Sequence, residues 1–234
     1  MRKKDSTSAT DSASVQPVKV WDLPVRLFHW LLVALVVTSF VTGNMGGNAM
    51  QNHMRSGYAI LALLLFRIIW GLVGSRTARF SDFIHGPVSA WRYAKGLFSK
   101  NGKRHLGHNP LGGWSILAML LALLLQAGTG MFADDAILTR GPLALWVGSD
   151  TSSALTIVHL LNKYLIVGLV ALHLLAVLFY LVVKRENLIT PMITGIKQWH
   201  GPLPRTVPMA PVWLAGILAA LAALAVYMLV QAGG

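Results

Sequence analysis

Residues 159–173 read HLLNKYLIVGLVALH, with histidine at both ends and mostly apolar residues between. At about 100° per residue, fourteen helical steps return a side chain to within about 40° of its starting face and advance it about 21 Å. His159 and His173 therefore share a helix face at very different depths. That spacing reads as two stacked sites rather than one.

The whole chain suits such a helix. It has 234 residues, 55% of them hydrophobic, and a mean hydropathy of +0.59, too apolar for an ordinary soluble domain. It contains no cysteine, which excludes disulfides, iron–sulfur clusters, thiolate zinc sites and c-type haem attachment. The net charge is +12, but the charges sit between hydrophobic segments. They read as determinants of membrane orientation, and no nucleic-acid partner is expected. Residues 1–19 are polar and rich in Ser, Thr and Ala, and read as a disordered cytoplasmic tail without a secretory signal.

Five segments qualify as membrane spans, at about 24–43, 53–73, 112–132, 157–183 and 211–230. Pro24 suits a first helical turn. Basic residues alternate with the spans. One group is Arg2, Lys3, Lys4, Lys19 and Arg26; a second is Arg76, Arg79, Arg92, Lys95, Lys100, Lys103 and Arg104; a third is Lys184, Arg185, Lys197 and Arg205. All three stretches fall on one side, which the positive-inside rule makes cytoplasmic. The longer opposite loop carries Asp134, Asp135 and Asp150 against Arg140. The expectation is a multi-pass inner-membrane protein with its N-terminus cytoplasmic and its C-terminus periplasmic.

Of eight histidines, four fall on spans. Span one rises and span four descends, so His29 and His173 come level on the cytoplasmic half. His53 and His159 each begin a descending span and come level near the outer surface. Two pairs of imidazoles thus stack inside a four-helix bundle. A histidine on each side of a porphyrin is a standard axial arrangement for haem iron. Span four serves both levels, spans one and two serve one each, and span three supplies packing. Copper or zinc also binds imidazole, although such sites usually take more ligands per level. Interfacial polar roles remain open for His53 or His159 singly. His173, deep in an apolar run, is the hardest to read as structural.

Neighbouring residues extend the pattern. Arg67 lies fourteen residues after His53, on the same face and at the depth of His29. It is a candidate partner for the propionates of the inner haem, or a snorkelling arginine. Arg55 and Lys163 are candidates near the outer haem, or exposed interface cations. Gly43, Gly57, Gly128, Gly130 and Gly168 permit close approach of a helix or a flat macrocycle. Gln126 is either a quinone ligand or a cross-bundle hydrogen bonder. His105 and His108 flank a glycine-rich turn beside the inner site, where a propionate or a quinol proton would be met. His85 and His200 have no distinguishing context. Span five shows no chemistry. Its alanines at 215, 219 and 223 read as a stripe packing against a helix of this chain or of a partner.

Several stretches in combination resemble the bacterial cytochrome b561 and nickel-iron hydrogenase cytochrome b superfamily. These are VWDLPVRLFHW (20–30), HMRSGYAILALLLFRIIWGLVGSRTARF (53–80), GHNPLGGW (107–114), HLLNKYLIVGLVALH (159–173) and NLITPMITGIK (187–197). The resemblance covers roughly residues 18–200. It implies an all-α integral membrane protein whose four-helix core, residues 20–200, holds two non-covalent b-type haems. His29 pairs with His173 and His53 with His159. The fifth helix, within 201–234, departs from the minimal four-span pattern. The implied work is electron transfer between membrane quinone and an outer redox partner. The acidic loop favours a cationic partner such as a c-type cytochrome. Alternatives are a superoxide:quinone oxidoreductase and the membrane anchor of a nickel-iron hydrogenase. A transporter or scaffold is the non-redox alternative. An ion pathway would prefer acidic residues within the spans, and their hydrophobic cores hold none.

Overall fold

The computed structural model describes residues 15–97, 105–136, 139–200 and 208–233. In chain order the elements are β1 (Val15–Lys19), α1 (Leu23–Met45), α2 (Met50–Val73), α3 (Phe80–Phe83), α4 (Pro87–Lys95) and α5 (Pro110–Phe132). Then follow α6 (Ser149–Val182), α7 (Ile189–Thr194), β2 (Ile196–His200) and α8 (Val212–Gly233). Helices α1, α2, α5, α6 and α8 are long and apolar enough to cross a membrane. They coincide with the five expected spans, so the chain is a multi-pass α-helical membrane protein.

Two of these helices begin on side-chain caps followed by proline. The Asp22 carboxylate accepts from the Val25 amide at 2.8 Å, with Pro24 in the first turn. The Asn109 carbonyl accepts from the Gly112 amide at 2.8 Å, with Pro110 in the first turn. Such caps satisfy amides that have no partner within the helix. Helix α6 starts eight residues before the expected 157, because its polar first turns carry no hydrophobic signal. Asp150 there suits the positive end of the helix dipole.

Helix α2 is the hub. It packs along α1, along α8 and against α5, while α5 lies along α6. Leu64 and Trp70 of α2 are fully buried, among Val25 and Phe28 of α1, Leu120 and Leu123 of α5, and Ala215 and Ala222 of α8. Helices α1 and α6 make at most slight backbone contact. Most large apolar side chains on the long helices face outward, Val33, Val37, Leu172 and Leu175 among them. Lipid tails are as apolar as leucine, so the hydrophobic effect does little to join these helices. Close packing and polar contacts must do it.

Two expectations change here. Of the alanine stripe on span five only Ala215 is buried; Ala219 and Ala223 are exposed. The contact face is Ala215, Ala222 and Val226, spaced seven and four residues apart. A seven-plus-four spacing returns to one side of the helix, whereas repeated four-residue steps drift around it. That face meets α2 of the same chain. The second change concerns the tail. Residues 15–19 are not disordered but pair antiparallel with β2, Val15 opposite His200 and Lys19 opposite Ile196. Residues 1–14 lie outside the described residues.

The ribbon closes the basic end of the bundle, the end carrying the positively charged loops. The amides of Val20 and Trp21 both donate to the Gly195 carbonyl, at 2.8 and 3.2 Å. Gly195 ends α7 at φ +84°, where an added Cβ would stand 2.7 Å from the Trp21 carbonyl oxygen. Only glycine meets both conditions without strain. Lys197 of β2, nearly buried, donates to Glu186 at 2.6 Å and to the His105 carbonyl at 2.7 Å.

Asp22 couples local and tertiary structure. Its second oxygen accepts from the buried Trp70 indole at 3.0 Å, tying α1 to α2. Asp22→Ala removes the cap and leaves that indole unpartnered. The expected loss is about 2–4 kcal/mol, read as a lowered Tm in detergent. An unchanged Tm would show that the carboxylate holds neither helix.

Candidate functional site

At the end of the bundle opposite the basic loops, His53 of α2 and His159 of α6 approach with ring centroids 6.0 Å apart and planes at 86°. Each ring is fixed the same way. His53 Nδ1 lies 2.8 Å from the Ser39 carbonyl oxygen of α1. His159 Nδ1 lies 2.9 Å from the Gln126 carbonyl oxygen of α5. A carbonyl only accepts, so Nδ1 carries a proton, and in this tautomer the lone pair of the imidazole sits on Nε2. An outer partner of this kind orients ligating histidines and raises their basicity.

Glycine makes the approach possible. Gly43 stands four residues after Ser39, and Gly130 four residues after Gln126. A Cβ on Gly43 would fall 2.7 Å from His53 Nδ1, and one on Gly130 2.9 Å from His159 Cε1. The sequence pointed to close approach at these glycines; their neighbours are the imidazoles. Gly57, one turn after His53, and Gly168, between the two levels of α6, have nothing within 4 Å of an added Cβ.

At the basic end, His29 of α1 and His173 of α6 lie within electrostatic range of one another. Both are half-buried. His29 packs edge-on against Trp30 at 4.9 Å, and its Nδ1 is sealed without a hydrogen-bond partner. The two levels are separated by fourteen residues of α6, about 21 Å.

The remaining sequence candidates separate by burial. Arg67 is only 3% exposed, with its guanidinium 5.0 Å from the Phe80 ring centroid and 5.9 Å from that of Phe83. It does not snorkel. Arg55 is exposed. Lys163 is half-buried with Nζ over the Tyr164 ring at 5.1 Å, within electrostatic range of His159. Gln126 is structural in this arrangement. Its amide donates to the His159 carbonyl at 3.1 Å and accepts from Asn162 at 2.8 Å.

Sequence reasoning missed Ser39, Thr129 and Asn162. Thr129 Oγ1 is 3.4 Å from His159 Nδ1, and buried Asn162 binds the Ala122 carbonyl at 2.9 Å. For Asn162 the available signal was a polar residue one turn after His159; Ser39 and Thr129 lie far along the chain from the histidines they touch.

His85, His105 and His108 line a cavity of about 190 Å³ at the basic end, with Thr77, Asp82 and Phe83. His108 packs on Trp21 at 4.5 Å and on Phe83 at 4.8 Å. Burial, and then the positive neighbours Arg67, His173 and Lys197, push it down to about 3, so it is a neutral imidazole. The His200 side chain lies outside the described residues.

Among the described residues no cluster of three or more His, Cys, Asp or Glu side chains forms. Paired imidazoles suit axial haem ligation better than a copper or zinc cage. The pieces fit such a group: Nε2 atoms left free, open space at Gly57 and Gly168, and a buried cation at the basic end.

A family profile described as prokaryotic cytochrome b561 matches residues 20–195. Relatives carry the description "probable Ni/Fe-hydrogenase B-type cytochrome subunit". That of Rhizobium leguminosarum bv. viciae is 26% identical over 211 residues, covering 77% of this chain and 88% of that protein. That of Azotobacter vinelandii is 27% identical over 222 residues, covering 80% and 91%. The "probable Ni/Fe-hydrogenase 1 B-type cytochrome subunit" of Escherichia coli K12 is 24% identical over 216 residues, covering 76% and 90%. No solved structure matches at comparable significance.

Glycine to alanine inside a helix ordinarily stabilises by up to about 1 kcal/mol. Gly43→Ala and Gly130→Ala are expected to do the reverse. Each should displace one imidazole and alter the haem absorbance assigned to the His53–His159 level, leaving the other level intact. Gly216→Ala, with open space around its Cβ, is the neutral control. Unaltered spectra in both site variants would mean these rings need no such accommodation.

Proposed function

The chain belongs to the prokaryotic cytochrome b561 family, and from that premise we propose that it is a di-haem membrane cytochrome b serving as the electron-transfer subunit of a hydrogenase-type partner. It carries electrons between that partner and the membrane quinone pool. The observation that carries this reading is the pair of imidazole pairs at two levels, each with one histidine from α6.

Haem iron supplies reversible one-electron chemistry whose potential follows its axial ligands and surroundings. His53 and His159 would hold the group at one level, and His29 and His173 at the other. Ser39 and Gln126 orient the first pair through their carbonyls. Lys163 and Arg55 lend positive charge near that level, and Arg67 lends it at the basic end. Positive charge favours the reduced, less positive state.

The relatives' descriptions favour a hydrogenase partner over a diffusing c-type cytochrome. The loop chemistry agrees. Asp134 pairs with Arg140 at 2.7 Å and accepts from the Ala136 amide, while Asp135 accepts from the Thr139 amide at 2.9 Å. The carboxylates of this loop serve its own conformation, which leaves less free charge to steer a cationic protein.

The purified protein is expected to contain two b-type haems, with His53→Ala and His173→Ala each disturbing a different one. In native membranes hydrogen should reduce both, and removal of this chain should abolish hydrogen-dependent quinone reduction. Reduction by a c-type cytochrome or by superoxide, with none by hydrogen, would overturn the hydrogenase assignment. Absence of haem would overturn the cytochrome reading itself.

The basic loops support a cytoplasmic N-terminus in an inner-membrane protein. The chain lacks cysteine, which makes single-cysteine labelling direct. Ser153→Cys should react with an impermeant thiol reagent in intact spheroplasts, and Ser81→Cys only after lysis. The opposite pattern would invert the topology.

A further inference from the structure

The basic end holds a buried guanidinium whose hydrogen bonding is incomplete. Arg67 is 3% exposed, and its Nη1 is sealed with no hydrogen-bond partner. The acid within its electrostatic range is Asp22. Both oxygens of that carboxylate are engaged, by the Val25 amide and the Trp70 indole. No ion pair includes Arg67 among the described residues. His108 shares the Phe83 ring with Arg67, at 4.8 and 5.9 Å, and its Nδ1 is likewise sealed and unpartnered. Lys197, the other cation in range of His108, is satisfied by Glu186 and the His105 carbonyl. Two buried nitrogens, Arg67 Nη1 and His108 Nδ1, are therefore left beside the same phenyl ring without a hydrogen-bond partner.

A guanidinium in a low-dielectric interior is strongly unfavourable without an anion and complete hydrogen bonding. Its planar fork matches a carboxylate. A neutral imidazole protonated at Nδ1 adds a further donor without adding charge. His173 lies within electrostatic range of His108, so such an anion would belong to whatever His29 and His173 hold. We propose that Arg67 and His108 together form the binding site for a propionate carboxylate of the haem ligated by His29 and His173. This rests on the two-haem reading above. The site orients the macrocycle with that carboxylate toward the basic end, and Arg67 offsets its negative charge.

The test is potentiometric titration of the purified holoprotein and its variants. Arg67→Gln should lower the potential of the haem whose signal is lost in His173→Ala. The expected shift is about tenfold in its reduction equilibrium constant, about 59 mV for a one-electron couple. The haem lost in His53→Ala should not move. His108→Leu should shift the same haem in the same direction, whereas His108→Asn, which keeps an N–H donor, should stay near wild type. Donors sharing one carboxylate should be non-additive in the Arg67→Gln/His108→Leu double variant. If Arg67→Gln does not accumulate, the His108 pair gives the same reading. Two haems with potentials indifferent to every one of these changes would overturn this inference alone. So would an equal shift of both haems. A wild-type potential that follows added chloride or phosphate at constant ionic strength, and ceases to in Arg67→Gln, would give the site to a free anion and overturn it too. A wild-type protein without two b-type haems would remove the premise and this inference together.

Discussion

An imidazole has two nitrogens, and a helix carbonyl that engages one of them decides where the other points. At Ser39 and Gln126 this rule operates twice, on α1 and on α5, each time with a glycine four residues later. The backbone oxygen is already committed to the helix ladder. Its second lone pair is reachable only where the next turn carries no Cβ. Each of two helices thus presents a carbonyl to a histidine of the following span, which leaves Nε2 of each ring uncommitted to that contact. The position of the site between α2 and α6 follows from these contacts rather than from direct packing of α6 on α1.

The packing of the five long helices reflects that arrangement. Helix α2 is buried along much of its length, against α1, α5 and α8. Helix α6 buries only Ser152 and Asn162 and touches chiefly α5. A helix so sparsely packed in lipid is held by polar contacts. The Asn162, Gln126 and His159 hydrogen bonds supply them at one end. Tyr180 supplies them at the other, through the Tyr93 hydroxyl at 2.7 Å and the Asn109 amide at 2.8 Å.

The basic end has a different construction. The β1–β2 ribbon, α3, α4 and α7 form a cap in which polar groups are mostly satisfied by one another. Among the exceptions, one nitrogen each of Arg67 and His108 lies beside one buried phenyl ring, Phe83; Arg26 Nε and His29 Nδ1 are also sealed without a partner. Unsatisfied donors in a low-dielectric interior are rare because they are costly. His108 lies within electrostatic range of His173, which puts these nitrogens beside the His29–His173 level.

Hydrophobic run length and helical period alone determined the five spans and the level pairing of four histidines, because both are one-dimensional properties of a helix crossing lipid. Family resemblance was equally legible, since it rests on short contiguous motifs such as residues 20–30 and 159–173. Tertiary structure alone decided which nitrogen of His53 and His159 is free, since that depends on carbonyls of a different helix. The same holds for the face of α8 that meets α2, where Ala222 and Val226 replace the expected Ala219 and Ala223. Only the fold showed that residues 15–19 pair with a segment some 180 positions away. It also turned Arg67 from an interface candidate into a buried cation. These are contacts between distant segments, and a periodicity read along one helix carries no information about the partner that helix will meet.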